Sequence, residues 1–265
     1  MLKGYMIPRT PRGTSSLVPA PPWHYVGNCL AIEYEADPQA VATFLPPGLE
    51  FHSSECAVYF ADWQYVSDTG DEYLDPVQSQ YRETIFLISA SLDGGACAYC
   101  PFIWVDQDIY LMRGLVQGWP KQIGSIWITR NYDLPSKATP VLGVGGKFGA
   151  TLAAKDRRLV EATVTLQEQT TELPTPSFAR AINVRHFPEL AAGRHDVPAV
   201  HELVQLKSRD VRISPIWKGE ASLRIFDHPT LELPALRPTK VGAGYRFSCA
   251  MTVDDLLVVR DLRAK

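Results

Sequence analysis

The sequence predicts a mainly β protein, a barrel or sandwich carrying a few short helices. Three observations lead there. About ten short runs rich in aromatic and β-branched residues alternate apolar and polar positions. Turn residues such as Asp93-Gly-Gly95 and Asp156-Arg-Arg158 separate those runs. Only two stretches carry helix signals, which is too few for an alternating strand-helix fold.

In chain order, residues 1–22 hold Pro8, Pro11, Pro19, Pro21 and Pro22 and predict an extended arm. Trp23 to Glu35 predicts a strand. Asp37 to Leu45 predicts a helix, with Asp37 as N-cap, Pro38 in the first turn and Pro46-Pro-Gly48 as the stop. Ala57 to Val66 predicts an aromatic-rich strand and Asp68 to Asp75 a polar loop. Gln80 to Leu92 predicts a strand, and Ala96 to Met112 a longer one, kinked at Pro101. Ser125 to Thr129 is a further strand. Gly143 to Leu152 and Leu159 to Leu166 form a hairpin. Residues 174–200, with four prolines, predict a long connection with at most a short helix. Leu203 to Ile213, Gly219 to Phe226 and Gly244 to Val253 complete the strands, and Asp254 to Leu262 predicts a C-terminal helix. Without a repeat or a linker, residues 1–265 are expected to form one domain.

Composition narrows the function. Of 265 residues, 46% are hydrophobic and 21% charged, in the ordinary globular range. A net charge of −3 gives no field that would favour nucleic acid or an anionic membrane. No run approaches the roughly 20 apolar residues of a membrane span, and the first residues lack a signal-peptide core. A cytoplasmic protein is expected. Five cysteines, an odd number, fit a reducing compartment better than a disulfide framework. Cys97 and Cys100 have redox spacing but sit in a strand, where no helix N-terminus lowers a thiol pKa. Six scattered histidines give no metal set. Gly143 to Gly149 lacks the order of a phosphate loop.

Chemistry concentrates at Gly118-Trp-Pro-Lys-Gln-Ile-Gly124. Lys121 stands between Trp119 and Ile123, in apolar company. A turn lysine can snorkel to solvent. A lysine held out of water loses its charged form more readily, and the neutral amine attacks carbonyls to form Schiff bases. Tyr81 and Glu83 open a strand and share a face by alternation, with Arg82 opposite. On an inward face they bring a phenol and a carboxyl group into an apolar interior, where a carboxyl group can serve as acid or base. On an outward face they are a wet, structural pair.

These segments together resemble the acetoacetate decarboxylase superfamily. The resemblance rests on Gly118-Trp-Pro-Lys-Gln-Ile-Gly124, Tyr81-Arg-Glu83, Trp217-Lys-Gly219 and Phe226-Asp-His228, with the strand-helix unit of Ile32 to Phe51. It spans about residues 23 to 255. It implies an antiparallel, cone-like β-barrel with short flanking helices. Inside it Lys121 would be the Schiff-base lysine, facing the carboxylate of Glu83. No cofactor is implied, because the lysine supplies the electrophile, and self-association into a homo-oligomer is.

Departures from the family pattern point further. The decarboxylases carry a second lysine where this chain has Gln122, a glutamate where it has Ala61, and an arginine where it has Gly27. Arg113 is followed by Gly114 and Leu115 in place of Arg-Glu. Losing that charge resembles a divergent branch that uses pyruvate. There the imine becomes an enamine, the enamine attacks an aldehyde, and loss of water gives a 2-oxo-3-enoic acid. The resemblance then casts Glu83 as proton shuttle, Tyr81 and Gln117 as partners of the pyruvate carboxylate, and Tyr245 as a further substrate contact or a barrel-filling tyrosine. Decarboxylation of a β-keto acid such as acetoacetate and a silent barrel that binds a small apolar ligand are the alternatives.

Overall fold

The computed structural model describes residues 1–68 and 70–263; Thr69, in the expected loop from Asp68 to Asp75, lies outside the described residues. Twelve strands join one sheet: β1 (Trp23–Glu35), β2 (Glu50–Ser67), β3 (Gln80–Leu92), β4 (Gly95–Val105), β5 (Lys121–Ile123), β6 (Ser125–Ile128), β7 (Lys147–Ala154), β8 (Arg157–Thr170), β9 (Ile182–Pro188), β10 (Pro198–Ile213), β11 (Ile216–Ile225) and β12 (Lys240–Asp261). The helices are α1 (Pro38–Thr43), α2 (Pro76–Ser79) and α3 (Asp108–Val116), with single 3₁₀ turns. The mainly β expectation therefore holds, and β1 and β3 have the expected bounds. The Asp37 carboxylate accepts from the backbone N–H groups of Gln39 and Ala40 and caps α1 as expected.

The hydrogen-bonded path runs β5-β4-β3-β2-β1-β12-β11-β8-β7-β6, with β10 paired to β12 and β9. It does not close into the expected barrel. Its two ends, β5 and β6, are joined by Gly124 alone, and one residue cannot turn the chain back to pair them. Neighbours are antiparallel except β4 and β5, which are parallel with Ile103 opposite Lys121.

Two further expectations are corrected. The long strand to Met112 stops at Val105, and the Asp106 carboxylate accepts the Arg82 backbone N–H at 2.7 Å while the chain turns into α3. The apolar run Ile109 to Met112 belongs to that helix, which is too short to show its period in sequence. The C-terminal segment is strand because β10 pairs with it, Leu206 opposite Leu256 and Glu202 opposite Asp261. Lys155 and Asp156, with φ of 49° and 58°, make the tight turn of the β7–β8 hairpin.

β1–β4 are buried on both faces. On one face Tyr25, Tyr59, Trp63, Ile85 and Phe247 join an aromatic core. On the other, Leu30, Phe60, Phe86 and Trp104 meet Phe148, Leu152 and Val164 as β7 and β8 fold over them. All five cysteines are free and buried, as a reducing compartment would allow. Among the described residues no helix is long and apolar enough to cross a membrane.

The Trp217-Lys-Gly219 motif has a steric basis. A Cβ on Gly219 would stand 1.9 Å from the Thr165 carbonyl oxygen, where β11 shifts register against β8. Gly219→Ala is expected to cost about 1–3 kcal/mol through forced backbone movement, read as a lower urea midpoint. An unchanged midpoint would contradict this close approach.

Candidate active site

The site is built outward from the end of α3. Gly118, at φ +84°, adopts the left-handed conformation that closes the helix. The Gly118 N–H donates to the Leu115 carbonyl and the Trp119 N–H to the Gly114 carbonyl, the Schellman pattern. Pro120 prevents the helix from continuing, and Lys121 opens β5 beside Ile103 of β4. The lysine stem then crosses Gly114: a Cβ there would stand 2.2 Å from Lys121 Cδ. Gly114 thus leaves the slot through which the side chain reaches the interior.

Lys121 Nζ ends 2.5 Å from Glu83 Oε2, with the two side chains 8% and 6% exposed. The contact is a close ion pair that does not meet hydrogen-bond geometry. Glu83 Oε1 accepts the Trp63 indole N–H at 3.3 Å. The expected face of β3 is the observed one: Tyr81 and Glu83 are buried inward. Arg82 turns outward, donates to the Ile126 carbonyl and lies over the Trp127 ring.

Around the pair lies a cavity of about 710 Å³, counted to its mouth. Tyr25, Trp63, Tyr81 and Gln117 give its lining polar groups, and Ile85, Phe178, Leu206, Met251 and Val253 apolar ones. Among the described residues, Lys121 and Glu83 are the only charged side chains lining it. Tyr81 stacks on Tyr110 at 3.6 Å between centroids, and Lys121 Nζ is 5.4 Å from the Tyr81 ring centre. Burial, then the neighbouring Glu83 charge, pushes the Tyr81 phenol well above its ordinary pKa, so it remains a neutral donor. Burial likewise raises Tyr25, against the opposing pull of Arg113.

Arg113 lies behind this wall. It is 2% exposed, donates to the Tyr25 hydroxyl at 3.1 Å and packs 3.8 Å from the Tyr65 ring centre. Burial opposes its charge, and Tyr25 and Tyr65 more than offset that, leaving its pKa raised.

The sequence-derived residues divide accordingly. Lys121, Glu83, Tyr81 and Gln117 come together in one cavity. Tyr245 does not join them. Its hydroxyl donates to Glu33 Oε2 at 2.9 Å, away from the cavity lining. Gln122 is also absent from the lining, since alternation along β5 turns it from Lys121.

Three contributors escaped the sequence reading. Trp63 was legible only as one of the alternating aromatics Tyr59, Trp63 and Tyr65. Gly27 makes room for it, because a Cβ there would stand 2.4 Å from Trp63 Cε3. The 3₁₀ turn Phe178–Arg180 covers the cavity from within the expected long connection, with no periodic signal to mark it. Gly114 had been only a register departure.

Comparison with known proteins places the chain in a family. A model of the family described as acetoacetate decarboxylase matches residues 6–262. An acetoacetate decarboxylase of Chromobacterium violaceum is 25% identical over 253 residues, covering 94% of this chain and 92% of that relative. Among solved structures, the enduracididine biosynthesis enzyme MppR complexed with pyruvate superposes with a TM-score of 0.91 at 37% identity, over 98% of this chain and 99% of that one. MppR complexed with the condensation product of pyruvate and imidazole 4-carboxaldehyde gives 0.92 at 37% identity, over 99% and 98% of the two chains. An acetoacetate decarboxylase-like enzyme from Sphingomonas wittichii RW1 gives 0.89 at 25% identity, over 98% and 100%. The buried lysine and its glutamate thus stand in a chain that belongs to the acetoacetate decarboxylase family.

Proposed function

We propose that this protein is a Schiff-base aldolase-dehydratase that condenses pyruvate with an aldehyde and releases a 2-oxo-3-enoic acid and water. The observation that carries the reading is the Lys121–Glu83 contact at 2.5 Å, the one charged pair among the described residues lining an aromatic cavity. The likeness to MppR, a protein solved with pyruvate and with its condensation product, supports it at 37% identity.

Proton transfer from Lys121 to Glu83 leaves a neutral amine beside a neutral acid. The amine attacks C2 of pyruvate, and the carbinolamine expels hydroxide, protonated by Glu83, to leave an iminium ion. Glu83, now a carboxylate, removes a proton from the methyl carbon, and the electrons of that C–H bond form the enamine. The enamine carbon attacks the aldehyde carbonyl carbon, and Glu83 returns its proton to the oxygen, becoming a carboxylate again. Glu83 then removes the second proton from the former methyl carbon and passes it to the hydroxyl, which leaves as water as the C–O bond breaks. Hydrolysis of the conjugated imine frees the product and restores Lys121. Gln117 and the tyrosines supply neutral donors for the pyruvate carboxylate, and Trp63 holds the second oxygen of Glu83. The apolar part of the lining, Phe178, Leu206, Met251 and Val253, receives the aldehyde side chain.

The rival reading is decarboxylation of acetoacetate or a related β-keto acid, which uses the same imine as an electron sink. It is favoured by the 25% identity to proteins named acetoacetate decarboxylase.

Two outcomes separate these readings. With pyruvate and a range of aldehydes, the protein is expected to generate the ultraviolet absorbance of a conjugated 2-oxo-3-enoate. Lys121→Ala is expected to lose it, and acetoacetate is expected to release no CO₂ above the uncatalysed rate. Rapid CO₂ release without condensation would establish the decarboxylase instead. In deuterium oxide, proton NMR of pyruvate alone is expected to show loss of the methyl signal. Glu83→Gln is expected to slow that exchange by roughly 10²–10⁴-fold. Trp63→Phe, which keeps an aromatic ring and removes the donor, is expected to slow it roughly tenfold, with a lower melting temperature from the space the indole vacates. Equal exchange in wild type and Glu83→Gln would remove Glu83 from the proton transfer.

A further inference from the structure

A second polar cavity lies on the opposite face of the central strands from Lys121. Arg246, on β12, is 3% exposed and reaches its floor. Its Nη1 donates to the Cys29 carbonyl at 3.3 Å and its Nη2 to Asn131 Oδ1 at 2.9 Å, both neutral acceptors. Its Nε–H is buried without a partner. No carboxylate lies within 4.0 Å of this guanidinium among the described residues. The Phe148 ring, 5.2 Å away, cushions the cation without neutralising it. Burial lowers the Arg246 pKa, a pull that Cys29 and then Asp62 partly oppose. Buried charges ordinarily pair with an opposite charge, and arginine forks match carboxylates in two contacts.

The cavity, about 450 Å³, is bounded by Asn28 and Asp62 on the strands and by Arg130 and Asn131 on the loop above them. An adjoining groove shares Asn28, Asp62 and Arg130 and adds the amides of Gln64 and Gln80. Asp62 is half-buried and has no ion-pair or hydrogen-bond partner from its carboxylate among the described residues. One small space therefore holds a buried cation with no carboxylate against it, a carboxylate with no ion-pair partner among the described residues, the Arg130 side chain, and a rim of amides. A simple anion would satisfy Arg246 and leave Asp62 without a partner. A molecule with both charges satisfies both groups.

We propose that this cavity binds a small zwitterion of the α-amino-acid class, its carboxylate on Arg246 and Asn131 and its ammonium group on Asp62. The Arg246 cavity shares no lining residue with the Lys121 cavity, and the adjoining groove shares only Trp63 with it.

The test is calorimetric titration of the full chain with glycine, L-serine and L-glutamine, and with sodium acetate and ammonium chloride at matched ionic strength. At least one amino acid is expected to bind, and neither ion alone to match it. Asp62→Asn is expected to weaken the amino acid roughly tenfold or more while leaving acetate little changed, and Arg246→Met to abolish both. Lys121→Ala is expected to leave this binding intact. Should Arg246→Met fail to fold, Asp62→Asn and the rim variant Arg130→Ala decide the matter. Absence of amino-acid binding, acetate binding as tightly, binding that survives the cavity variants, or binding lost with Lys121→Ala would each overturn the proposal.

Discussion

The contact between Lys121 Nζ and Glu83 Oε2 is the constraint on which the local structure depends. Two opposite charges withdrawn from water are costly unless held together. Removing one partner would leave the other uncompensated, at roughly 3–5 kcal/mol. The scaffold serves that contact from both sides. On one side, the glycine-ended helix α3, Pro120 and the parallel step onto β4 place the lysine, while Gly114 clears its path. On the other, β3 presents Glu83 inward, and Trp63 from β2 fixes its second oxygen over the opening left by Gly27.

The surrounding charge is arranged differently from what the family pattern suggested. Residue 122 is uncharged and turned away from the cavity. The fixed positive charge nearby belongs to Arg113, buried behind Tyr25 and facing Tyr65. The cavity itself thus offers neutral phenol, indole and amide donors around a single ion pair. Such an interior strengthens each polar contact made inside it.

Much of this was legible in sequence where local chemistry and the final fold agree. Asp37 and Pro38 announced α1, and the alternation through Tyr81 and Glu83 named the buried face of β3. The lysine turn was marked by its glycines and proline. The reading failed where tertiary pairing decided the outcome. Residues 254–261 form strand because β10 is alongside, and Ile109 to Met112 form helix because Asp106 breaks the strand before them. The sheet remains open because Gly124 alone separates its two ends, a matter of topology that no residue pattern encodes. Trp63 and Tyr245 illustrate the same limit at the site. Both read as aromatic residues on alternating strands, and only their partners, Glu83 and Glu33, tell them apart.

Imine formation at Lys121 is the most direct point of attack. The protein is incubated with pyruvate, reduced with borohydride, and analysed by intact mass and peptide mapping. One reduced pyruvate adduct per chain, on the peptide carrying Lys121 and absent from Lys121→Ala, is the expected result. Absence of an adduct, or one spread equally over surface lysines, would contradict Lys121 as the nucleophile and the function built on it.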